Sequence, residues 1–468
     1  QKGSNLLHQQ MRDFLLENFG FGPFQFRKAD GTVEMQANSL RELEAALRTA
    51  STESLMAHAK GNHFSTWLRA RTEFNLADQI SQKEVNDFSD AEQVREYLVD
   101  TLFRARKNAQ RGAIADFDRN TFDETINFSR IGSGSLGGKA RGLAFINRMM
   151  PRYTPDGMFQ DIRVMVPQVV VLTTEIFDRF LRRNHLHSAA FSDEYTEQER
   201  IAKFMRGRLP GGLLSDLRSL LTHFKDPLAI RSSGLLEDSH HQPFAGIYET
   251  VMIRNNGSIE KRLAELCRGI KQVYASTFSD RARAYIRATP YRHEEEKMAV
   301  IIQPVYGRER NGRFYPSFSG VARSHNFYPH GMCSPEDGVC TVALGLGRTI
   351  SDGEGSLRFC PKYPRSLPEF SSVDEILDNA QRYFYAIPME KSVLEAAECI
   401  DHFHPCRFQV SEADKDNSLH QMASTWIAED GRITDGVGRP GARLVTFAGI
   451  LKHETFPLAA FARNLLEV

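Results

Sequence analysis

Up to about residue 115, apolar positions recur at the three- and four-residue spacing of a helix face. Ser39 stands as an N-cap before Leu-Arg-Glu-Leu-Glu-Ala-Ala-Leu-Arg over residues 40–48, and the same period returns at residues 65–71 and 91–98. The pattern changes after the polar stretch at residues 111–118. Apolar, largely β-branched runs at residues 164–166, 169–172, 228–230, 248–253, 299–302 and 340–344 read as strands. Between them, residues 259–277 and 374–385 have the length and amphipathic spacing of helices. Strands and helices interleaved in this way predict an α+β architecture. The change of pattern divides the chain into a helix-rich accessory module over residues 1–118 and a second domain over residues 119–468.

Composition narrows the partners more than the chemistry. At 468 residues the chain exceeds one ordinary core, and 41% hydrophobic with 25% charged residues is the balance of a globular protein in water. Lys+Arg and Asp+Glu are equal at 59 each, so no bulk field draws nucleic acid or an anionic membrane, and any anion site is local. Cys267, Cys333, Cys340, Cys360, Cys399 and Cys406 lack paired spacing, which predicts neither a disulfide framework nor a zinc site and favours the cytoplasm. No apolar run approaches a bilayer span, no signal-peptide pattern opens the chain, and the first residue is Gln rather than Met. His58, His63 and Trp67 read as packing residues.

Three segments carry candidate chemistry. Residues 132–142, Gly-Ser-Gly-Ser-Leu-Gly-Gly-Lys-Ala-Arg-Gly, place glycines and Lys139 before a helix running through Met150. Free N–H groups at such a helix start suit an anion. The G-x-G-x-x-G match at Gly132, Gly134 and Gly137 lacks an acidic residue at the end of a second strand, since neither Asp156 nor Asp161 follows one. A P-loop fails as well, because Ser133 stands where Gly is required and Ala140 where Ser/Thr would bind a metal. The second segment, Leu-Ala-Ile-Arg-Ser-Ser-Gly-Leu-Leu-Glu-Asp over residues 228–238, sets Arg231 after an apolar run as a bidentate fork for phosphate; its plainer reading is an ion pair with Glu237 or Asp238. Gly246 and Thr250 follow. In the third, the strand over residues 298–302 leads into Gln303, whose amide has the donor and acceptor to read a base edge.

In chain order these pieces resemble the ATP-binding domain of the phosphoenolpyruvate synthase and pyruvate phosphate dikinase family. The matching stretches are residues 136–140 (Leu-Gly-Gly-Lys-Ala), residues 166–177, Arg231-Ser-Ser with Glu237-Asp238, Phe244-Ala-Gly with Thr250, residues 298–303, Ser319-Gly-Val-Ala and Gly345-Leu-Gly. The resemblance spans roughly residues 125–468 and implies an ATP-grasp-like fold of two α/β lobes. It implies that Lys139 holds the ATP phosphates, Arg231 clamps them during transfer, Gly246 and Thr250 belong to the phosphate-covering segment, Gln303 reads the nucleotide, and Arg323 contributes to the nucleotide site. It further implies Mg²⁺, and transfer of a phosphoryl group from ATP to a histidine on a separate swivelling domain that serves pyruvate or another acceptor.

The chain departs from that pattern in two places. The family's metal-binding glutamate and glutamine follow the segment matching residues 456–468, so the chain reads as part of a longer enzyme with no metal ligands of its own. Residues 322–328, Ala-Arg-Ser-His-Asn-Phe-Tyr, differ from the usual sequence around Arg323. His240-His241 and His402-Phe-His404 beside Cys406 lack further ligands at metal-binding spacing. The leading reading is the ATP-binding part of a dikinase-type phosphotransferase. Its rivals are a catalytically inactive regulatory or interaction protein that keeps the fold, and a dinucleotide-binding domain built on residues 132–137.

Overall fold

The computed structural model describes Met11 and residues 22–28, 30–110, 113–119, 126–154, 158–159, 162–236, 246–353, 355–395, 397–399, 401 and 403–467. Glu237, Asp238, His240, His241 and His402 lie outside the described residues, as do Asp156 and Asp161. The chain divides into two units, Gln1–Arg111 with Asp123–Ile126, and Gly112–Phe122 with Asn127–Val468.

In the first unit, strands β1 (Phe24–Arg27) and β2 (Val33–Ala37) pair antiparallel and meet five helices, Leu40–Thr49, Thr52–Lys60, His63–Arg69, Phe74–Ser81 and Ala91–Gln110. The Ser39 hydroxyl caps the first of these by accepting from Glu42 N–H at 3.2 Å. Phe26, Leu43, Leu47, Leu55, Trp67 and Leu98 are among the side chains of one core. His58 belongs to its edge. The Arg27 backbone N–H donates to His58 Nε2 at 3.0 Å, so the ring proton sits on Nδ1 and points to His63 Nδ1, 2.9 Å away. Burial, the neighbouring His63 and Arg27 together lower the pKa of His58 to about 4.

The second unit is built on a six-stranded sheet. Its order is β3 (Ala115–Asp116), β4 (Phe128–Ile131), β5 (Val169–Leu172), β8 (Met298–Pro304), β6 (Leu228–Gly234) and β7 (Thr250–Ile253). The first three run parallel and the remaining neighbours antiparallel. Because side chains alternate along a strand, each face has its own set. On one face Val170, Leu172, Leu228, Ile230, Val251, Ile253, Val300 and Ile302 form a core with Phe177, Phe204, Leu217 and Ile270 from four helices, Thr174–Arg183, Glu197–Arg206, Gly211–His223 and Ile259–Ser276. On the other, Val169, Val171, Ala299 and Ile301 are covered by helix Gly137–Tyr153 through Ala140. That helix covers only part of its face. Alternation sends Ala229, Arg231, Thr250, Met252 and Gln303 to the same side, where they border open space.

Three smaller sheets complete the unit. One runs β15 (Cys406–Gln409), β14 (Tyr383–Pro388), β10 (Arg313–Tyr315), β9 (Arg308–Arg310). The second is β11 (Phe318–Arg323), β12 (Val339–Leu344), β13 (Leu357–Phe359), and the third β17 (Arg432–Asp435), β16 (Ala423–Ile427), β18 (Ala442–Val445). A buried ionic knot ties β10 to the turn after helix Val410–Lys415. Asp416, its side chain fully buried, accepts from Arg313 at 2.6 and 3.0 Å, from the Tyr315 hydroxyl at 2.7 Å and from Asn311 at 2.8 Å.

Mixed helices and sheets give the α+β class expected from the sequence. Three local expectations need correction. Residues 374–385 do not form one helix: the helix is Val373–Asn379, and Tyr383–Pro388 is β14. The run Tyr-Phe-Tyr-Ala-Ile carries the aromatic and β-branched content of a strand, and Phe384 and Ala386 alternate into the core. Residues 164–166 form no strand, with Pro167 following directly. Cys399 and Cys406, whose spacing predicted no disulfide framework, form a disulfide across a Cα separation of 4.5 Å. The chain folds back there, since Arg407 N–H donates to Glu398 O at 2.9 Å, and so brings the two cysteines together. Among the described residues no helix is long and apolar enough to cross a membrane.

Candidate functional site

The uncovered part of the sheet is the floor of a cavity of about 1150 Å³. Its walls come from residues 246–249, one edge of helix Ile259–Ser276, the short helix Arg348–Asp352 with Gly347 before it, and residues 403–405. Of the six residues singled out in the sequence, Arg231, Gly246, Thr250 and Gln303 line this one cavity, and Lys139 and Arg323 do not.

Arg231 is not at a strand end, as the apolar run implied; β6 continues through Gly234. Arg231 is therefore held between β7 and β8, in register with Thr250 on one side and Ile301 on the other. Gln303 faces Ala229 across the β6–β8 pair and is 8% exposed. Its side-chain amide makes no hydrogen bond among the described residues. Bordering the cavity without a partner among those residues, this amide is available to a ligand. Gly246 adopts φ +74°, a left-handed turn in open space that a side chain would strain.

Lys139 lies in the first turn of helix Gly137–Tyr153, where its Nζ donates to Ser232 Oγ at 3.3 Å, one residue from Arg231. The neighbouring Ser233 hydroxyl donates to Leu136 O at 2.8 Å and accepts from Ala140 N–H at 3.1 Å. Both hydroxyls of the Arg-Ser-Ser segment thus dock the helix start onto β6. Gly137 makes the docking possible: a Cβ there would stand 1.8 Å from Ser233 O.

Four amides of the glycine-rich loop are engaged within the protein. Ser133 N–H donates to Glu175 Oε2, Gly134 N–H to Thr173 Oγ1, Ser135 N–H to Thr174 Oγ1 and Gly137 N–H to Ser135 Oγ. These groups fix the loop to the start of helix Thr174–Arg183 instead of facing a ligand. Arg323 ends β11, opposite Val339, and is exposed away from the cavity.

Other charged residues of the cavity were missed. Arg268, Arg281 and Arg348 join Arg231 in its lining. Arg268 stacks on Phe403 with its guanidinium 5.0 Å from the ring centre, and Arg348 contacts Asp352 at 3.4 Å. On the predicted helix, Arg268, Gln272 and Ser276 fall at four-residue spacing, a polar stripe that was legible; Arg281, Arg348 and His404 carry no such signal. His404 Nδ1 is 2.8 Å from Asp401 Oδ1, and its Nε2 is 3.1 Å from Glu249 Oε2. The bond to Glu249 raises the His404 pKa above its ordinary 6.5 against burial, and Asp401 adds to the effect. Burial raises Asp401, but hydrogen bonds from His404 and from Phe403 N–H hold it below its ordinary 3.8. Among the described residues no three of His, Cys, Asp and Glu come together as metal ligands.

Fold and site together define an α+β protein with an arginine-lined cleft over an open sheet face. Residues 133–366, half of the 468-residue chain, match the family described as pyruvate phosphate dikinase, AMP/ATP-binding domain, and the chain belongs to that family. It is similar to a Bacillus subtilis protein named uncharacterized phosphotransferase YvkC, at 27% identity over 40% of this chain and 20% of the relative. A probable phosphoenolpyruvate synthase of Archaeoglobus fulgidus is 27% identical over 27% of this chain and 14% of its own length. A Bacillus cereus rifampicin phosphotransferase is 25% identical over 32% of this chain and 18% of its own length. The matches thus span at most a fifth of each relative's length.

Proposed function

We propose that this chain is the ATP-binding part of a phosphoenolpyruvate synthase-like phosphotransferase with an ATP-grasp-like cleft. The observation that carries the reading is the convergence of Arg231, Thr250 and Gln303 on one sheet face beneath one cavity. The Gln303 amide takes the edge of the base. Arg231 forks onto phosphate oxygens, the Thr250 hydroxyl donates beside it, and the turn at Gly246 closes over them. Lys139, held at Ser232 outside the cavity lining, reaches the phosphates by leaving that hydroxyl. The γ end of the nucleotide then yields a phosphoryl group to a histidine on a separate domain, which serves pyruvate or another acceptor through parts of the enzyme outside this chain. Positioning and charge neutralisation are most of what such a transfer needs from protein groups. Among the described residues no three of His, Cys, Asp and Glu stand together as metal ligands; Glu197, Glu249 and Asp352 line the cavity, and Mg²⁺ arriving with a nucleotide needs only one or two carboxylates beside the phosphates.

Calorimetric titration with ATP tests the reading. Binding by the parent chain, weakened about tenfold or more in both Lys139→Ala and Arg231→Ala, is the expected result. A chain extended past Val468 that still ignores ATP would overturn it and favour an interaction protein that kept the fold.

A further inference from the structure

Residues 403–405 join the cavity wall from outside the sheet, and three contacts fix them. Phe403 O accepts from Met252 N–H at 2.8 Å, so the segment continues the sheet beyond β7 by one hydrogen bond. The Cys399–Cys406 disulfide closes the loop that carries Asp401 and His404. The third contact is the imidazole itself, with a carboxylate oxygen at each ring nitrogen. A neutral imidazole has one donor and one acceptor, and two carboxylates offer only acceptors, so both bonds form only in the imidazolium.

Glu249 is the more consequential partner. It sits between Tyr248, whose ring is buried, and Thr250, which stands opposite Arg231. Its backbone N–H is already held by Ser276 Oγ at 3.2 Å. Its carboxylate lines a cavity whose other charged residues include four arginines. Left unpaired, it would repel the phosphates those arginines attract; paired with an imidazolium, its charge is partly offset and its position is pinned.

We infer that His404 is the positioning residue of this site: as an imidazolium bridging Asp401 and Glu249, it holds residues 246–250 in their binding conformation and offsets part of the carboxylate charge beside the cavity. The effect on nucleotide binding rests on the function proposed above; the clamp on the segment does not. The charged groups facing the ring are Glu249 from the approach to β7 and Asp401 from its own segment. Arg268 of helix Ile259–Ser276 lies against the adjacent Phe403, and Cys399 and Cys406 do not titrate as a disulfide. Binding should therefore be full below the raised His404 value and fall as pH rises through it.

Two measurements test this on the 468-residue chain. The first is hydrogen–deuterium exchange without nucleotide, comparing the parent with His404→Gln at pH 7. Amides of residues 246–250 should exchange about tenfold faster in the variant, and unchanged rates would overturn the clamp whether or not ATP binds. The second is ATP titration from pH 7 to 9, where phosphate groups are already ionised. Parent affinity should fall as pH rises through the His404 value, which lies above the ordinary 6.5. His404→Gln should bind weakly and without that slope, and Glu249→Gln/His404→Gln should recover most of the loss. A variant that keeps the parental slope, or a double variant with no recovery, would overturn the electrostatic role. A parent that does not bind ATP at all would instead reject the proposed function, leaving the exchange rates to decide on the clamp.

Discussion

Arg231 on β6 stands directly opposite Thr250 on β7, and both line the cavity. The pair is separated by nineteen positions in sequence but fixed by backbone register, so the guanidinium and the hydroxyl share an orientation that neither side chain has to find for itself. Preorganisation of this kind reduces the ordering cost of binding an anion.

Gln303→Leu separates recognition from stability. Because the buried amide has no protein partner among the described residues, its replacement by an apolar side chain of similar size should leave thermal unfolding within about 1 kcal/mol of the parent. The preference for ATP over GTP should fall by about tenfold, since a base-edge contact is worth about 1–3 kcal/mol in recognition. Competitive titration with the two nucleotides checks it.

Gly137→Ala should cost about 3 kcal/mol or more in urea unfolding. The new Cβ would meet Ser233 O at 1.8 Å, and the residue holds φ +73°. The variant should also lower ATP affinity, because the displaced helix start carries Lys139 away from Ser232.

Acid should destabilise the first unit before the carboxylates titrate. The folded pKa of His58 is about 4 against 6.5 in the unfolded chain, so the unfolded state takes up the proton first. Stability is full above pH 6.5 and falls toward pH 4, by about 3 kcal/mol in all. Tyr97 and Trp67 belong to this unit, and its unfolding followed at a series of pH values should show the slope; His58→Gln should remove it.

Asp416→Asn should destabilise the second unit by about 3–5 kcal/mol, measured in urea. The substitution leaves the Arg313 guanidinium, 8% exposed, without its charge partner. Glu412, 3.1 Å from Arg313 Nη1, supplies only partial compensation.

Much of the sheet was legible because its strands are short apolar runs bounded by turns. Residues 169–172, 228–230, 299–302 and 340–344 all fall within strands, and residues 259–277 coincide with a helix to within one position. Period alone could not separate helix from strand over residues 374–385, where aromatic residues fit both until tertiary packing selects one. The cavity was legible where its residues sit on those strands, as with Arg231, Thr250 and Gln303. It was not where they arrive from distant short segments, as with Arg348 and His404. The glycine-rich loop misled for a related reason: glycine marks tight backbone approach, but sequence cannot tell whether a ligand or Thr173 and Thr174 are what it approaches.

The assembly of the cavity from such separated segments has a consequence during synthesis. A nascent chain that has emerged only through β8 already contains Arg231, Thr250 and Gln303, the whole floor, but lacks Arg348 and the Phe403–His404–Pro405 wall. Ribosome-bound intermediates of that length would present a cationic surface without its cover. The cavity is thereby completed only when roughly a hundred further residues have been translated, so its wall forms after its floor.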